Sequence, residues 1–325
     1  MVDALIVARA LADPGGVAAL DAEGWTALLT IARAEQLLGT LAHRLAGLPV
    51  PDPVAPVLAD ARLWAAHERR TALWEAEMAA RALASVDTRV VLLKGTAYAA
   101  AGLMAGQGRG IGDLDLLVPR GRLDEVEAAL LAHGWEWVKP NAYDDAYYRR
   151  WMHELPPLIH RERDRIVDVH HTILPLTARP TPDATALIAD AVSLGNGMHV
   201  LAPADMIVHA AAHLFADGDL AGGLRNLWDI RCLLAEFGDD GLVERARMHG
   251  VEAAVTRAVR LSGIVFGDQP AERRDRLYLR RFLARDGWGR PTRPMTRLGF
   301  YARSHWLRMP PAMLARHLWT KWRQA

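Results

Sequence analysis

Apolar positions recur every three or four residues from residue 2 to about 86, through Trp25, Leu28, Leu29, Ile31 and Ala32 and then Leu37, Leu38 and Leu41, which predicts amphipathic helices. Pro51, Pro53 and Pro56 interrupt the pattern, and a second run over 57–86 carries Leu63, Trp64, His67, Ala72, Trp74 and Met78 on one long helix or a broken pair. The texture changes at Arg89. Residues 90–93 form a short apolar run rich in valine, ending in Lys94-Gly95-Thr96 and a helix-like stretch over 97–105, which reads as a buried strand entering a helix. A glycine-rich loop over 106–112 leads into Asp113-Leu114-Asp115-Leu116-Leu117-Val118, a second strand. There follow a helix over 122–133, a strand over 135–138, an irregular aromatic stretch with Tyr143, Tyr147, Tyr148 and Trp151, and strands over 155–160 and 165–171. After the prolines at 175, 180 and 182 only helical periodicity is expected, over 203–215, 220–237, 241–248 and 251–266, with Pro203 opening the first of these.

This order predicts an α+β chain: an N-terminal helical region (1–86), a compact α/β core (87–174), a helical domain (183–286) and a C-terminal tail (287–325). Its 325 residues, 51% of them hydrophobic, are enough to bury a substantial core. No apolar stretch approaches the ~18 residues of a membrane span, and no cationic leader precedes an apolar segment, so no secretory signal is expected. The single cysteine, Cys232, allows no internal disulfide and fits a reducing cytoplasm. The net charge of +1 hides an asymmetry: residues 287–325 hold eight Arg or Lys and no acid, which leaves −7 on residues 1–286. Those cations, among Trp288, Trp306, Trp319 and Trp322, fit contact with an anionic membrane or a nucleic acid, or else packing onto the acidic body.

The sharpest chemical feature is Asp113-x-Asp115. Side chains two apart on a strand share a face, with Cα atoms roughly 7 Å apart, so both carboxylates can converge on a hard cation such as Mg²⁺ or Mn²⁺. Asp168, on a later strand, would complete a cluster able to hold two metals, the arrangement that clamps an in-line displacement at phosphorus. Upstream, Gly95 and Thr96 stand where a strand meets a helix N-terminus, an anion site to which Lys94 adds a point charge.

Strand, Gly-Thr, helix and D-x-D strand in this order resemble the nucleotidyltransferase superfamily of polymerase-β-like fold, a resemblance that implies a mixed sheet in the core. Leu92-Leu93-Lys94-Gly95, Arg109 and the run from Gly112 to Val118 resemble an uncharacterised nucleotidyltransferase family within it. So do Ile166-Val167-Asp168-Val169-His170, Leu201-Ala202-Pro203-Ala204-Asp205 through His213-Leu214-Phe215, and the segment from Leu224 to Asp229. The resemblance implies a metal-dependent enzyme that moves a nucleoside monophosphate from an NTP to an acceptor, which could be a peptide, a protein or a small metabolite. It implies metal ligation by Asp113, Asp115 and Asp168, and nucleotide-phosphate contact by Gly95 and Thr96. Thr96 departs from the Gly-Ser or Gly-Gly commonest at that turn, although its hydroxyl can still donate to a phosphate oxygen. A non-catalytic nucleotide-binding regulator or biosynthetic scaffold of the same fold is the alternative.

Around this centre several residues keep two readings. His170 shares a face with Asp168 and is either a proton carrier or phosphate contact beside the metals or a packed histidine; His171 faces away and reads as packed. Arg109 either meets the triphosphate with its planar fork or is a solvated loop arginine. His209 and His213 have zinc-hydrolase spacing but lack the glutamate that would serve as base, so they read as interface histidines. Arg225 and Asp229, four apart, read as a helix-surface ion pair or as a brace between the two domains, from which Arg225 could reach the nucleotide, and Cys232 reads as a buried thiol. Neither the dinucleotide motif nor the P-loop fits, because Ile111 stands where a glycine is needed and Lys94 precedes Gly95.

Overall fold

A computed structural model describes residues 2–138, 142–217, 219–220, 222–308 and 319. The N-terminal region folds into helices α1 (Leu5–Ala12), α2 (Ala22–Ala34), α3 (Leu38–Arg44) and α4 (Ala55–Ala82). Asp21 caps α2 by accepting from the Gly24 amide at 2.8 Å. The second apolar run is one continuous helix, α4, and its buried stripe is Leu58, Ala61, Ala65, Ala72, Ala76 and Ala79, at the three- and four-residue spacing of one face. Alanines let α4 lie close to its neighbours, while the larger Leu63, Trp64 and Trp74 are exposed.

The core then alternates β1 (Val90–Leu92), α5 (Lys94–Ala100), β2 (Leu114–Leu117), α6 (Leu123–Ala132), β3 (Trp135–Trp137), α7 (Ala142–Trp151), β4 (Leu158–His160) and β5 (Ile166–His170). The aromatic stretch expected to be irregular is the helix α7. Its Arg149 joins Asp145 one turn back at 2.8 Å and α6 Glu127 at 2.7 Å, ties that apolar periodicity does not report.

Helix α8 (Ala184–Ala189) is followed by two strands where only helix was expected, β6 (Val192–Ser193) and β7 (Met198–Val200). The seven-stranded mixed sheet has the order β3-β4-β5-β2-β1-β7-β6. The central strand β2 runs parallel to β5 and antiparallel to β1, and β1 runs parallel to β7. Both β1 and β2 are buried along their whole length, hence their near-continuous apolar character.

Helices α9 (Pro203–Ala212), α10 (Gly223–Phe237), α11 (Leu242–Met248), α12 (Glu252–Phe266), α13 (Arg276–Phe282) and α14 (Pro294–Arg308) complete the described chain. One continuous apolar core extends from Ala4 through the sheet to Phe300. In the tail, Phe300 and Ser304 are buried, and Arg293 and Arg303 donate to the carbonyls of Arg280 (2.9 Å) and Phe215 (3.1 Å), so this part of it packs on the body. Beyond residue 308 only Trp319 falls within the described residues. Among the described residues no helix is long and apolar enough to cross a membrane.

Candidate active site

The parallel register of β2 and β5 sets Asp115 directly beside Asp168, and Asp113 lies two residues ahead of Asp115 at the entry to β2. One carboxylate oxygen from each of the three lies within 4.8 Å of the others. Asp115 is 2% exposed. Its Oδ1 accepts from Lys94 Nζ at 2.6 Å and stands 2.9 Å from His170 Nε2. Burial alone would raise the Asp115 pKa, but the Lys94 charge and the His170 contact outweigh it and hold the carboxyl far below the ordinary range. Asp168 goes the other way. Burial, then the negative charges of Asp115 and Asp113, push it up to about 7, and its Oδ1 is buried with no hydrogen-bond partner among the described residues. A buried acceptor without a donor, beside two further carboxylates, is what an oxygen-ligated divalent cation would satisfy.

Lys94 reaches Asp115 from a constrained backbone. Its φ of +48° lies in the left-handed region, which costs a non-glycine residue on the order of 1–3 kcal/mol and is held only where surrounding contacts demand it. One such contact is the Leu93 amide, which donates to the Asp115 carbonyl at 3.0 Å.

Gly95 and Thr96 are both buried, and neither lines the cavity beside the aspartates. The Thr96 hydroxyl is directed to the Asp113 carbonyl at 3.5 Å, so it steadies the strand entry. Gly95 makes room for Arg109: a β-carbon there would stand 2.7 Å from Arg109 Nη1 and 3.3 Å from Ile111 Cγ1. Arg109 is no solvated loop residue. It is held by Asp229 at 3.2 Å and donates to the Gly110 carbonyl at 3.1 Å. Asp229 also takes Arg225 Nη2 at 2.6 Å, while Arg225 Nη1 reaches Thr40 in α3 at 2.6 Å. The pair is therefore buried rather than on a helix surface, and it acts as the brace of the second reading, tying α10 to α3 and the glycine loop. That loop is itself packed: Gly108, at φ +65°, lies so close to the backbone of Gly39 and Thr40 that any side chain would collide.

Lys94, Arg109, Asp113 and Asp229 line a cavity of about 540 Å³ together with Tyr98, Asn226, His209 and His213. This is within the range of small-molecule sites. The two histidines lie on its wall with ring centroids 6.4 Å apart, and burial, then Lys94, drives His209 well below its usual pKa. A second cavity of about 580 Å³, walled by Leu38, Val57, Ala61, Trp64 and Glu68, shares Gln36, Gly110 and Gly112 with the first.

His170 does share the Asp168 face, but it is buried behind Asp115 and does not line the cavity. Burial lowers its pKa against the pull of Asp115, whose Oδ1 it contacts from behind. His171 is packed, and burial pushes it down to about 4. Two residues that sequence reasoning did not single out complete the surroundings: Glu154 and His153 border the far side of His170. Only their position just ahead of a strand hinted at them.

A family model described as an uncharacterised nucleotidyltransferase matches residues 21–267. The chain belongs to this family. The match covers about three quarters of the sequence, from α2 to the end of α12, and contains the three aspartates, Lys94, Arg109 and the Arg225–Asp229 brace. Membership in a nucleotidyltransferase family indicates a transferase that draws on a nucleoside triphosphate. No relative among curated proteins matches the chain.

Proposed function

We propose that the chain is a metal-dependent nucleotidyltransferase that moves a nucleoside monophosphate from an NTP to an acceptor, with pyrophosphate leaving. The observation that carries this reading is the Asp113, Asp115 and Asp168 cluster with its unpartnered Asp168 oxygen, beside a cavity that also presents Lys94 and Arg109. The residues fit Mg²⁺ or Mn²⁺: Asp113, Asp115 and Asp168 would hold the cation, all through oxygen. Bound there, it would activate the attacking group of the acceptor and neutralise charge on the departing pyrophosphate.

The chain's own residues do the rest. Lys94 and Arg109 supply the positive wall that draws a triphosphate into the cavity, and the planar fork of Arg109, pre-oriented by Asp229, suits phosphate oxygens. His170 keeps Asp115 in one orientation from behind. Thr96 steadies the backbone that carries Asp113. The adjoining cavity, with Trp64 on its wall, suits the apolar portion of the acceptor.

The test is calorimetric titration of each of the four NTPs with Mg²⁺ into wild type, Asp113→Asn and Asp115→Asn. Asp113 is exposed, so its variant keeps the fold while losing a ligand. Metal-dependent binding of an NTP, lost in both variants, is the expected outcome. Folded wild-type protein that binds none of the four would overturn the reading. Binding without release of pyrophosphate in the presence of candidate peptide, protein or metabolite acceptors would favour the regulator or scaffold instead.

A further inference from the structure

We propose that His153, Glu154 and His170 form a second cation site, distinct from the aspartate cluster and suited to a borderline divalent metal of the zinc type. The placement begins with the backbone. Residues 153–155 run alongside the end of β5: the Leu155 amide donates to the Val169 carbonyl at 2.9 Å and the His171 amide to the His153 carbonyl at 2.8 Å. These two bonds flank an antiparallel bridge between Glu154 and His170, which makes them a directly opposed pair of the non-hydrogen-bonded kind, whose side chains lie closest. His153 completes the group by setting its ring against that of His170, with centroids 5.1 Å apart.

The resulting distances suit coordination. Glu154 Oε2 lies 3.3 Å from His170 Nδ1 and 3.6 Å from His153 Nε2, and ligand atoms of all three residues fall within 4.8 Å of one another. Ligands about 2.05 Å from a tetrahedral ion are about 3.3 Å apart, so modest closure brings all three donors onto one metal with a fourth position open. Two imidazoles and one carboxylate select zinc-like ions over Mg²⁺, which prefers an all-oxygen shell.

The second ring nitrogen of His170 supports the same assignment. Nε2 lies 2.9 Å from Asp115 Oδ1, so an imidazole that donates there presents a lone pair at Nδ1. That lone pair would face the Glu154 carboxylate, a repulsive contact that a cation between them turns into two bonds. Asp115 then stands to His170 as the carboxylate that orients a metal-bound imidazole. A metal-free imidazolium donating from both nitrogens is the competing arrangement.

Co²⁺ separates the two. Untagged full-length protein is stripped with a chelator, dialysed and titrated with Co²⁺ in excess Mg²⁺, which occupies the oxygen ligands of the aspartate cluster. We expect uptake of one Co²⁺ per chain with the intense visible absorption of a four-coordinate ion. Asp168→Asn should retain it, whereas Glu154→Gln and His153→Ala, with unchanged circular dichroism, should weaken Co²⁺ binding by about 100-fold or more. No Co²⁺ uptake by folded wild type overturns the proposal. So does a weak six-coordinate spectrum that Mg²⁺ displaces, or binding that Asp168→Asn abolishes and Glu154→Gln spares. Because NTP binding is read with Mg²⁺ alone, failure of this site leaves the nucleotidyltransferase reading intact, and the reverse also holds.

Discussion

Asp168 offers the most direct test of the electrostatics, because replacing it should stabilise the metal-free protein while destroying the site. The native carboxyl titrates near 7, raised first by burial and then by Asp115 and Asp113, against about 3.9 in an unfolded chain. That gap of about three pH units corresponds to about 4 kcal/mol against the native state at pH 8, at 1.36 kcal/mol per unit. Solvent screening of this partly exposed carboxylate brings the expected figure to about 2–3 kcal/mol. The sign follows from proton counting. Between about pH 4 and 7 the native protein binds more protons than the unfolded chain, so wild-type stability falls as pH rises through that window. Asp168→Asn removes the titrating group. In EDTA, urea unfolding followed by tryptophan fluorescence should find the variant more stable by about 2–3 kcal/mol at pH 8, with the difference shrinking toward pH 4. Mg²⁺ should then stabilise wild type and leave the variant unchanged. A difference between the two proteins that does not vary with pH would refute the account of Asp168 as a half-buried, charge-crowded acid.

Lys94→Met leaves Asp115 buried with His170 as its remaining close partner, and should cost about 3 kcal/mol in EDTA, partly recovered in Mg²⁺, as read by thermal unfolding with and without the metal. Gly95→Ala forces the Arg109 guanidinium off Asp229, so NTP affinity measured by calorimetry should fall at least tenfold while stability drops by only about 1–2 kcal/mol. Asp229→Ala strips the shared carboxylate from two buried guanidiniums, and its urea unfolding curve should show a loss of about 3–5 kcal/mol.

Much of the arrangement of the candidate site was legible in the sequence, and particular residues show why. The placement of Asp113 and Asp115 together follows from the two-residue repeat of a strand, and the apolar runs of β1 and β2 announce burial on both faces. The β6–β7 hairpin also carried a signal, Asn196-Gly197, with Gly195 and Gly197 both at positive φ, but helical periodicity on either side concealed it. Helix α7 lacked an apolar stripe and is held by ion pairs to α6, so periodicity had nothing to report. The glycines at 106–112 invite a dinucleotide motif that Ile111 and the order of elements exclude, and Gly108 serves close packing against Gly39.

By itself, the sequence determined what depends on neighbours a few residues apart: most of the helices, the central strands and the shared face of Asp113 and Asp115. Tertiary structure alone decided which partners each charge meets. It placed Lys94 on Asp115, sank Arg225 and Asp229 into the brace that holds Arg109, set His170 behind Asp115 and brought Glu154 opposite His170. Burial and pairing between distant segments depend on how the layers stack, and whether a carboxylate is driven down like Asp115 or up like Asp168 depends on the dielectric and charges that stacking creates.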